Sequence, residues 1–479
     1  MTSPTFDPEL AAVAAARTTL SDIDGEAGEL VVGGYPIEQL AANATYEEAV
    51  FLLFEDRLPT DEELREFRAT LASHRGIGET VRELLRAAAD ADASVMDTLE
   101  MGLAALSLDG DTTDPETTAR RIVAAAPTIV ATYWRYRQGK EPVDPDTNLS
   151  HAADYLRMLT GEKPNDAVRG LETFLVTVLD HGLNTPTFAA RTVVSTESDL
   201  GSAATAAVGT LKGGRHSGHF ADLFEILQSV HESGDHERVA REHLVEGERF
   251  PGFGHPVYRT RDPRAAVLSA AAERYAQRDP ALVETVQRFE ETVTDVLRAE
   301  RPDTTERPTL EFHTVPLLHG VGVPPTLFGA TFAVARLGGV MAHCLEQLET
   351  GRIVRPTARY VGETDNAWLP LDQRAAVGDV LLGQSARAAS LEAVSETLAT
   401  LSEPSRLEIL LALADADAPL AYSTLRDSTA IEDKGRFNYH LRQLRDHFVA
   451  DGEDGYTLTD AGRQVVETVL TDDRLLDAN

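Results

Sequence analysis

The 479-residue sequence predicts a mainly α-helical protein. Two segments, Thr45–Glu48 and Thr60–Glu63, have the spacing of a capping box, and each leads into apolar residues at helical intervals. Alanine-rich stretches such as RAAVLSAAAERYAQ (264–277) continue this pattern further along the chain. Alternating, strand-like runs are scarce, and in the N-terminal half ELVVGGY (29–35) predicts a short hairpin. Helices therefore dominate the predicted fold.

Length and composition indicate a globular protein of two or three domains with a large buried core. The chain is 42% hydrophobic and 25% charged, which excludes the class of disordered proteins. No apolar run approaches the roughly 18–20 residues that span a bilayer, and the N-terminal MTSPTFDPEL lacks the basic and apolar regions of a signal peptide. The single cysteine, Cys344, excludes an intramolecular disulfide framework and is expected in the core. We therefore expect a cytoplasmic protein without membrane contact.

The charge balance is strongly acidic. With 78 acidic and 44 basic side chains, the formal net charge is −34. Such a field repels nucleic acid and anionic metabolites at low salt. Near 1 M salt the Debye length falls to about 3 Å, and local charges then decide binding. Lysine is rare, and the four lysines are Lys140, Lys163, Lys212 and Lys434. An acidic chain with so few lysines predicts a halophilic protein of haloarchaeal origin.

The composition becomes polar and alanine-rich between about Leu382 and Leu401, where GQSARAASLEAVSETLAT predicts a linking helix. A helix with an N-terminal proline (LSEPSRLEILLALADA), a helix–turn–helix, a hairpin (FVADGEDGYTLT) and a final helix (AGRQVVETVL) follow. This order resembles a winged helix–turn–helix domain of the ArsR type. In that resemblance, GRFNYHLRQLRDHFV is the recognition helix and DGEDGYTLT is the wing.

Six residues of the predicted recognition helix are candidates for DNA contact: Lys434, Arg436, Asn438, Tyr439, Arg442 and Arg445. The cationic ones form a local basic group in an otherwise acidic module, which suits phosphate and base contacts in the major groove. The alternative is a solvated helix face on a module that serves dimerisation or ligand-coupled packing.

Two histidines lie three residues apart in GRHSGH (214–219). A strong zinc motif would place its histidines on a continuous helix, as in His-Glu-x-x-His, and the flanking glycines argue against such a helix. We therefore predict no metal site here. By themselves, the residues leave open a polar turn or part of a catalytic site.

A second motif, FPGFGHPVYRTRDPRA (250–265), predicts an anion site. Asp262 is a natural helix N-cap and Pro263 suits the first helical position, so Arg264 falls in the first turn. A cationic side chain beside exposed N–H groups is favourable for a carboxylate. The glycines at 252 and 254 allow close backbone approach and present His255.

Several separate motifs, in the same order and spacing, resemble the citrate synthase family. The resemblance runs from about Asp24 to Gly362. It is carried by DGEAGELVVGGYPIEQLA, TYEEAVFLLFEDRLPTDEELREF, DHGLNTPTFAARTVVSTESDLGSAATAAVGTLKG, LKGGRHSGHFADLFEIL, FPGFGHPVYRTRDPRA and TLEFHTVPLLHGVGVPPTLFGATFAVARLGGVMAHCLEQLETGRIVRPTARYVG.

The resemblance implies a nearly all-helical homodimer in which each subunit has a large and a small domain that close over the substrates. The expected synthase-like part spans 1–383, with the large domain at about 1–215 and 323–383 and the small domain at about 216–322. The expected linking helix is 384–400 and the winged helix–turn–helix domain is 401–479.

The resemblance also implies an activity: acetyl-CoA and oxaloacetate condense to citrate and CoA, with neither a metal nor a redox cofactor. By position, His216 would donate to the thioester oxygen, His255 would polarise the oxaloacetate carbonyl and Glu311 would be the base. The expected ligands of the oxaloacetate carboxylates are His181, Arg264, Arg336 and, from the partner subunit, Arg355.

The chain departs from the family pattern at several of these positions. The family base is an aspartate in Pro-Asn-Val-Asp, whereas this chain has Pro-Thr-Leu-Glu at 308–311. The extra methylene of Glu311 moves the carboxylate by about 1 Å, and such a displacement can cost about 100-fold in rate. The residues after His216 also differ from the family sequence. One of them is His219, and we expect this histidine to have a structural role. Pro256 replaces an arginine, and Gly182 replaces a glutamate.

Two alternative functions therefore stay open. One is a 2-methylcitrate synthase that uses propionyl-CoA, because selectivity depends on a methylene and the sequence does not locate the acyl pocket. The other is a catalytically silent, synthase-like metabolite sensor that regulates transcription through the C-terminal module.

Overall fold

The computed structural model describes residues 6–7, 10, 13–110, 113–163, 165–214, 220–244, 249–362, 364, 368, 400–401, 403–416, 418–431, 433–445, 447–452 and 455–466. The chain divides into two compact units, Met1–Arg359 and Tyr360–Asn479. The predicted linking helix at 384–400 lies almost wholly outside the described residues. The large and small domains predicted within the first unit stay predictions.

The described part of the first unit is mainly helical, as predicted. Its helices are α1 (Ile37–Asn43), α2 (Tyr46–Glu55), α3 (Asp61–Ser73), α4 (Glu79–Asp90), α5 (Val95–Ala105), α6 (Pro115–Arg137), α7 (His151–Thr160), α8 (Ala167–Thr177), α9 (Thr185–Val194), α10 (Leu200–Leu211), α11 (Phe220–Ser233), α12 (His236–Glu242), α13 (Pro263–Tyr275), α14 (Pro280–Glu300), α15 (Leu310–Val321) and α16 (Phe328–Thr350).

Both predicted capping boxes are present. The hydroxyls of Thr45 and Thr60 accept hydrogen bonds from the backbone N–H groups of Glu48 and Glu63. Each glutamate accepts in return from the threonine backbone N–H at 2.8 Å. These bonds satisfy N–H groups that have no partner within the helix, and they fix where α2 and α3 begin.

A small antiparallel sheet precedes the helices, with strand order β1 (Ser21–Asp24), β2 (Glu29–Val32) and β3 (Tyr35–Pro36). The predicted hairpin at 29–35 is confirmed as β2 and β3, which turn at Gly33 and Gly34 with φ values of 54° and 84°. Strand β1 was missed because its sequence, SDID, carries two exposed aspartates and only one apolar residue.

Helix α16 lies at the centre of the unit and packs against α2, α6, α8, α9 and α10. Within the described ranges, the segment Pro325–Thr350 is the one helix that by length and composition could cross a membrane, although Arg336 interrupts its apolar sequence. However, 94% of its most apolar window is buried inside the protein. It is therefore built as a core helix, and Cys344 is buried on it, as predicted.

The second unit has its own core. Its described elements are α17 (Pro404–Ala414), α18 (Tyr422–Asp427), α19 (Lys434–Arg445), β4 (Val449–Gly452), β5 (Gly455–Leu458) and α20 (Asp460–Val465). Apolar side chains from three helices and the hairpin meet in this core, among them Leu410, Leu425, Phe437 and Leu458. Pro404 occupies the first turn of α17, and the hairpin of β4 and β5 follows α19, as the sequence predicts.

Candidate active site

The first turn of α13 holds a buried ion pair. Asp262 caps the helix by accepting a hydrogen bond from the Arg264 backbone N–H at 3.1 Å, with Pro263 in the first position. The Arg264 side chain donates to the same carboxylate twice, from Nε and Nη2, each at 2.9 Å. Asp262 also accepts from the Leu310 backbone N–H at 3.1 Å, which ties α13 to the start of α15. The predicted cap is confirmed, and it also orients the arginine.

The two charges stabilise each other away from solvent. Burial alone would raise the pKa of Asp262, but the adjacent Arg264 guanidinium holds that pKa below its usual range. Burial alone would likewise lower the pKa of Arg264, and the Asp262 carboxylate raises it instead. Arg264 Nη1 has no hydrogen-bond partner among the described residues, so this group is available to an anion.

The loop before α13 presents His255. Gly252 and Gly254 have φ values of 78° and 77°, a conformation that side chains disfavour, so the predicted need for glycine is met. His255 Nδ1 accepts hydrogen bonds from the backbone N–H groups of Val257 (3.1 Å) and Tyr258 (3.2 Å). These donors favour the tautomer with hydrogen on Nε2.

His255 Nε2 lies 3.3 Å from Arg264 Nη2, which can only donate. In that tautomer, two N–H donors face the same space. A carbonyl or carboxylate oxygen placed between them could accept a hydrogen bond from both N–H groups, which cannot bond to each other. The pair is therefore a candidate site for the oxygen of a bound anion.

His181 lies beside His255, with ring centroids 5.5 Å apart, and its Nε2 is 3.1 Å from the Tyr258 hydroxyl. The preceding residue, Asp180, is fully buried and accepts from the Gly182 backbone N–H at 3.1 Å. Burial would raise the Asp180 pKa, but contact with His343, whose Nε2 lies 3.2 Å away, contributes to lowering it to about 2. Asp180 thus keeps its charge beneath the site.

Helix α16 brings this loop and Arg336 together through a close approach at Gly339. A Cβ at Gly339 would lie 2.4 Å from the Leu179 carbonyl oxygen and 2.7 Å from Asp180 Oδ1, so no side chain fits there. One turn earlier, Arg336 is only 3% exposed. Its Nε and Nη1 atoms have no hydrogen-bond partner within the part of the chain that the structure describes.

Arg336 is electrostatically costly in this position. Burial lowers its pKa to about 10, although the Asp180 carboxylate acts in the opposite direction. Its guanidinium carbon lies 5.0 Å from the centre of the Phe332 ring. A buried cation without a bonded counter-charge destabilises a fold, commonly by several kcal/mol. Such a group indicates a site for an anion.

Glu311 lies in the first turn of α15, half-buried. Thr309 immediately precedes this helix, and its hydroxyl lies 2.5 Å from Glu311 Oε2 and 3.0 Å from the Gly252 carbonyl oxygen. The Thr309 backbone N–H also donates to Gly252 at 2.9 Å. The glycine loop that carries His255 and the start of the helix that carries Glu311 are therefore joined directly. The Glu311 charge acts on both Arg264 and Arg336.

The structure brings together five of the predicted site residues: His181, His255, Arg264, Glu311 and Arg336. His216 and His219 lie in 215–219, outside the described residues. Arg355 is exposed in the segment after α16, and no hydrogen bond or ion pair joins it to the other five within the described ranges. Sequence reasoning gave no role to Asp180 and Tyr258, although both lie in quoted motifs. Tyr258 contacts His181, and Asp180 accepts from the Gly182 backbone N–H and contacts His343. These contacts depend on the folded structure and have no signal in the sequence.

In the second unit, the predicted DNA-contacting residues on α19 differ in their partners. Arg436 pairs with Glu403 at 3.3 Å, and Arg445 forms an ion pair with Asp451. Asn438 accepts from the Tyr422 hydroxyl at 2.5 Å. Three are exposed and have no ion pair among the described residues, namely Lys434, Tyr439 and Arg442. The predicted basic group is therefore reduced, because carboxylates engage two of its four cations.

Comparison with known proteins covers both units. Residues 9–357 match the family model described as "Citrate synthase, C-terminal domain", and residues 394–469 match a domain of unknown function, DUF7347. A citrate synthase from Haloferax volcanii is 41% identical over 380 residues, which cover 76% of this chain and 98% of that protein. A 2-methylcitrate synthase from Mycobacterium tuberculosis is 33% identical over 374 residues, covering 76% and 93%.

A similar solved structure is the ternary complex of carboxymethyl coenzyme A and oxaloacetate with the citrate synthase of Thermoplasma acidophilum. Its TM-score is 0.69 at 26% identity, and the alignment covers 78% of this chain and 100% of that one.

The ion pair at α13 predicts a pH-dependent loss of stability in Asp262→Asn. Asparagine still caps the helix, but it leaves the buried Arg264 charge unpaired, so the free energy of unfolding should fall by about 3 kcal/mol at neutral pH. Because the pKa of Asp262 is lowered in the folded protein, its contribution is complete above the unfolded value of about 4 and is lost as the pH falls below it. Denaturant unfolding of both proteins between neutral pH and pH 3 measures this difference.

The matched control is Asp295→Asn, an exposed carboxylate 3.5 Å from Arg298 on α14. It should cost less than about 0.5 kcal/mol. A loss at position 262 that equals this control, or that does not diminish in acid, would contradict the role given to the pair.

Proposed function

Since the chain belongs to the citrate synthase family, we propose that it condenses acetyl-CoA with oxaloacetate and releases citrate and CoA. The chain is an enzyme of the transferase class. The observation that carries the choice of oxaloacetate is the buried Arg336 guanidinium beside the His255–Arg264 donor pair, because the Nε and Nη1 atoms of Arg336 have no hydrogen-bond partner among the described residues. A small molecule with two carboxylates and a carbonyl oxygen matches that set of donors.

In the proposed mechanism, Arg264 and Arg336 hold the carboxylates of oxaloacetate, aided by His181. The His255 Nε2–H donates to the carbonyl oxygen and makes the carbonyl carbon electrophilic. Glu311 takes a proton from the acetyl methyl group, and the resulting enol carbon attacks the carbonyl carbon. Water then hydrolyses the thioester of citryl-CoA, so acetyl-CoA, oxaloacetate and water become citrate and CoA.

The remaining roles come from family positions. His216 would donate to the thioester oxygen as the enol forms. We also propose a homodimer in which Arg355 of the partner subunit completes the carboxylate site, and the exposure of Arg355 in the single chain supports this. No metal or redox cofactor is part of the proposal.

The two candidate acyl substrates differ by one methylene. Propionyl-CoA is the second candidate because one relative is named 2-methylcitrate synthase. The difference of one methylene changes transition-state binding by only about 1–3 kcal/mol. We favour acetyl-CoA because the Haloferax volcanii relative with the higher identity is named citrate synthase.

The proposed activity predicts oxaloacetate-dependent release of CoA by the purified protein. We infer a halophilic protein from the net charge of −34, so the assay is run in molar KCl. The kcat/KM for acetyl-CoA should exceed that for propionyl-CoA by about tenfold or more. A preference for propionyl-CoA would assign 2-methylcitrate synthesis. No release with either thioester would contradict the enzymatic proposal and leave a ligand-binding sensor.

The proposed role of Glu311 as the base generates a separate prediction. Glu311→Gln should lower kcat by at least about 100-fold, because the amide cannot accept the methyl proton. Oxaloacetate binding should persist, since Arg264 and Arg336 are unchanged. Glu311→Asp tests whether the length of the side chain limits the rate. If the shorter side chain restores the family geometry, its activity should equal or exceed that of the wild type.

The matched control is Glu284→Gln, an exposed position on α14, which should leave kcat unchanged. Steady-state kinetics and calorimetric binding of oxaloacetate separate the effects. Full activity in Glu311→Gln would show that the proton leaves by another route.

For the second unit, we propose a winged helix–turn–helix module that binds DNA. The element order of three helices, a hairpin and a final helix supports this. The exposed Tyr439 on α19 also supports it, as do Lys434 and Arg442, which form no ion pair among the described residues. A dimer would present two such helices to half-sites about one helical turn apart. Coupling to metabolism then requires a ligand whose affinity differs between DNA-competent and incompetent states.

The proposed DNA binding generates a prediction for the cations of α19. Arg442→Ala should weaken DNA binding and reduce the salt slope by about one ion. Arg445→Ala should have a smaller effect, because Asp451 already pairs with that arginine. Immunoprecipitation of bound genomic DNA, followed by titration of an enriched fragment, measures both. The control is Arg426→Ala, paired with Asp427 on α18. If no fragment is enriched, the module is an interaction domain.

A further inference from the structure

A large cavity in the first unit contains none of the candidate active-site residues. Its volume is about 880 Å³, and it lies among α3, α8, the loop before α7 and the last turn of α13. Four arginines line it, from three separate helices, together with two carboxylates; the arginines are Arg65, Arg68, Arg169 and Arg274. In a chain with 78 acidic and 44 basic residues, such a lining is unexpected.

One of these arginines is neutralised. Arg169 pairs with Glu172 at 2.8 Å and also donates to carbonyl oxygens at the end of α1. Glu172 is buried, and that burial raises its pKa against the opposing effect of Arg169. The buried carboxylate in the cavity wall, Glu172, is therefore already paired with Arg169. The other carboxylate in the wall is the exposed Asp166.

The other three arginines form no ion pair with any described residue. Arg68 donates from Nη2 to the Thr45 hydroxyl at 3.0 Å, and its buried Nε has no hydrogen-bond partner in that part of the chain. Arg274 lies with its guanidinium carbon 5.4 Å from the centre of the Tyr275 ring. Arg65 is exposed. Three cations that form no ion pair among the described residues thus line one cavity, whose two carboxylates are Asp166 and the already paired Glu172.

The size and lining indicate the class of ligand. The volume exceeds that of a single inorganic ion, and polar side chains such as Asn148, Asn165 and Gln277 complete the wall. Guanidinium groups bind phosphates and carboxylates in the same way, through paired N–H donors. The fitting ligand is a small metabolite with several phosphate or carboxylate charges.

The position of the cavity links it to α13. Arg264 lies in the first turn of this helix and Arg274 in the last, about 15 Å apart at 1.5 Å per residue. The helix packs against α8, which carries Arg169, and against α15, which carries Glu311. A ligand that draws Arg274 towards Arg65 and Arg68 would bias the position of one rigid helix whose other end holds the active-site ion pair.

We propose that this cavity is a second, regulatory anion site whose occupation changes the affinity for oxaloacetate through α13. The coupling rests on the proposed function, whereas the binding does not. By linkage, oxaloacetate and the anion must change each other's affinity by the same factor.

The test measures binding and coupling separately. Pyrophosphate and tricarballylate serve as the phosphate and carboxylate probes, titrated by calorimetry into the full chain at low and at molar KCl. Arg65→Gln/Arg274→Gln removes two exposed cations without opening the core and should weaken binding of the preferred probe roughly tenfold or more. The control Arg298→Gln removes an exposed arginine already near Asp295 and should bind like the wild type.

Saturating probe should shift the KM for oxaloacetate at least twofold in the wild type and leave it unchanged in the double variant. Equal binding in all three proteins, or no saturable binding of either probe, would overturn the site. Binding without a KM shift in an active enzyme would overturn the coupling. If the protein releases no CoA at all, the proposed function fails, and the calorimetric comparison still decides the site.

Discussion

The buried guanidinium of Arg336 is the constraint on which the candidate site depends. A cation that is 3% exposed and lacks partners at Nε and Nη1 among the described residues weakens the fold that contains it. The surrounding structure tolerates it in two ways. Asp180, charged and fully buried, acts on it electrostatically, and helix α16 is packed on several sides by other helices. The arrangement is typical of a preorganised binding site for a carboxylate.

Around this cation, backbone connections between helix ends hold the other groups. Asp262 joins the start of α13 to the start of α15 through Leu310, and Thr309 joins α15 to the glycine loop that carries His255. Gly339 lets α16 contact the loop that carries His181. The side chains of His181, His255, Arg264 and Glu311 therefore lie at helix ends or in loops, where short polar links set their positions, whereas Arg336 lies in the middle of α16.

Much of the site could be predicted from sequence, because caps, prolines and positive-φ glycines are local signals. Asp262, Pro263, Gly252 and Gly254 behave as their neighbours in sequence indicate. The pairing of Asp262 with Arg264, by contrast, needs a side-chain conformation that a cap alone does not specify.

Features formed by distant segments could not be predicted. The lack of described hydrogen-bond partners for Arg336 Nε and Nη1 depends on how separate helices pack, and so does the meeting of Arg65, Arg68 and Arg274 in one cavity. The same limit applies to α19, where Asp451 on the following strand pairs with Arg445. The family resemblance identified Arg336 and helical spacing identified Arg445, whereas Arg65, Arg68 and Arg274 were not singled out from the sequence. Tertiary structure decided which of these arginines form ion pairs among the described residues.

The most direct test of this account is the thermal stability of Arg336→Met with and without oxaloacetate. Replacing an unpaired buried charge by an apolar side chain should leave the apo protein as stable as the wild type or more so. Oxaloacetate should stabilise the wild type, by about 2.7 kcal/mol at 100 times its Kd, and should not stabilise the variant. Arg191→Met is the control, since Arg191 is buried but bonded to Glu346 and Gln347, and its loss should destabilise strongly. An Arg336→Met protein that is markedly less stable and still responds to oxaloacetate would contradict the account.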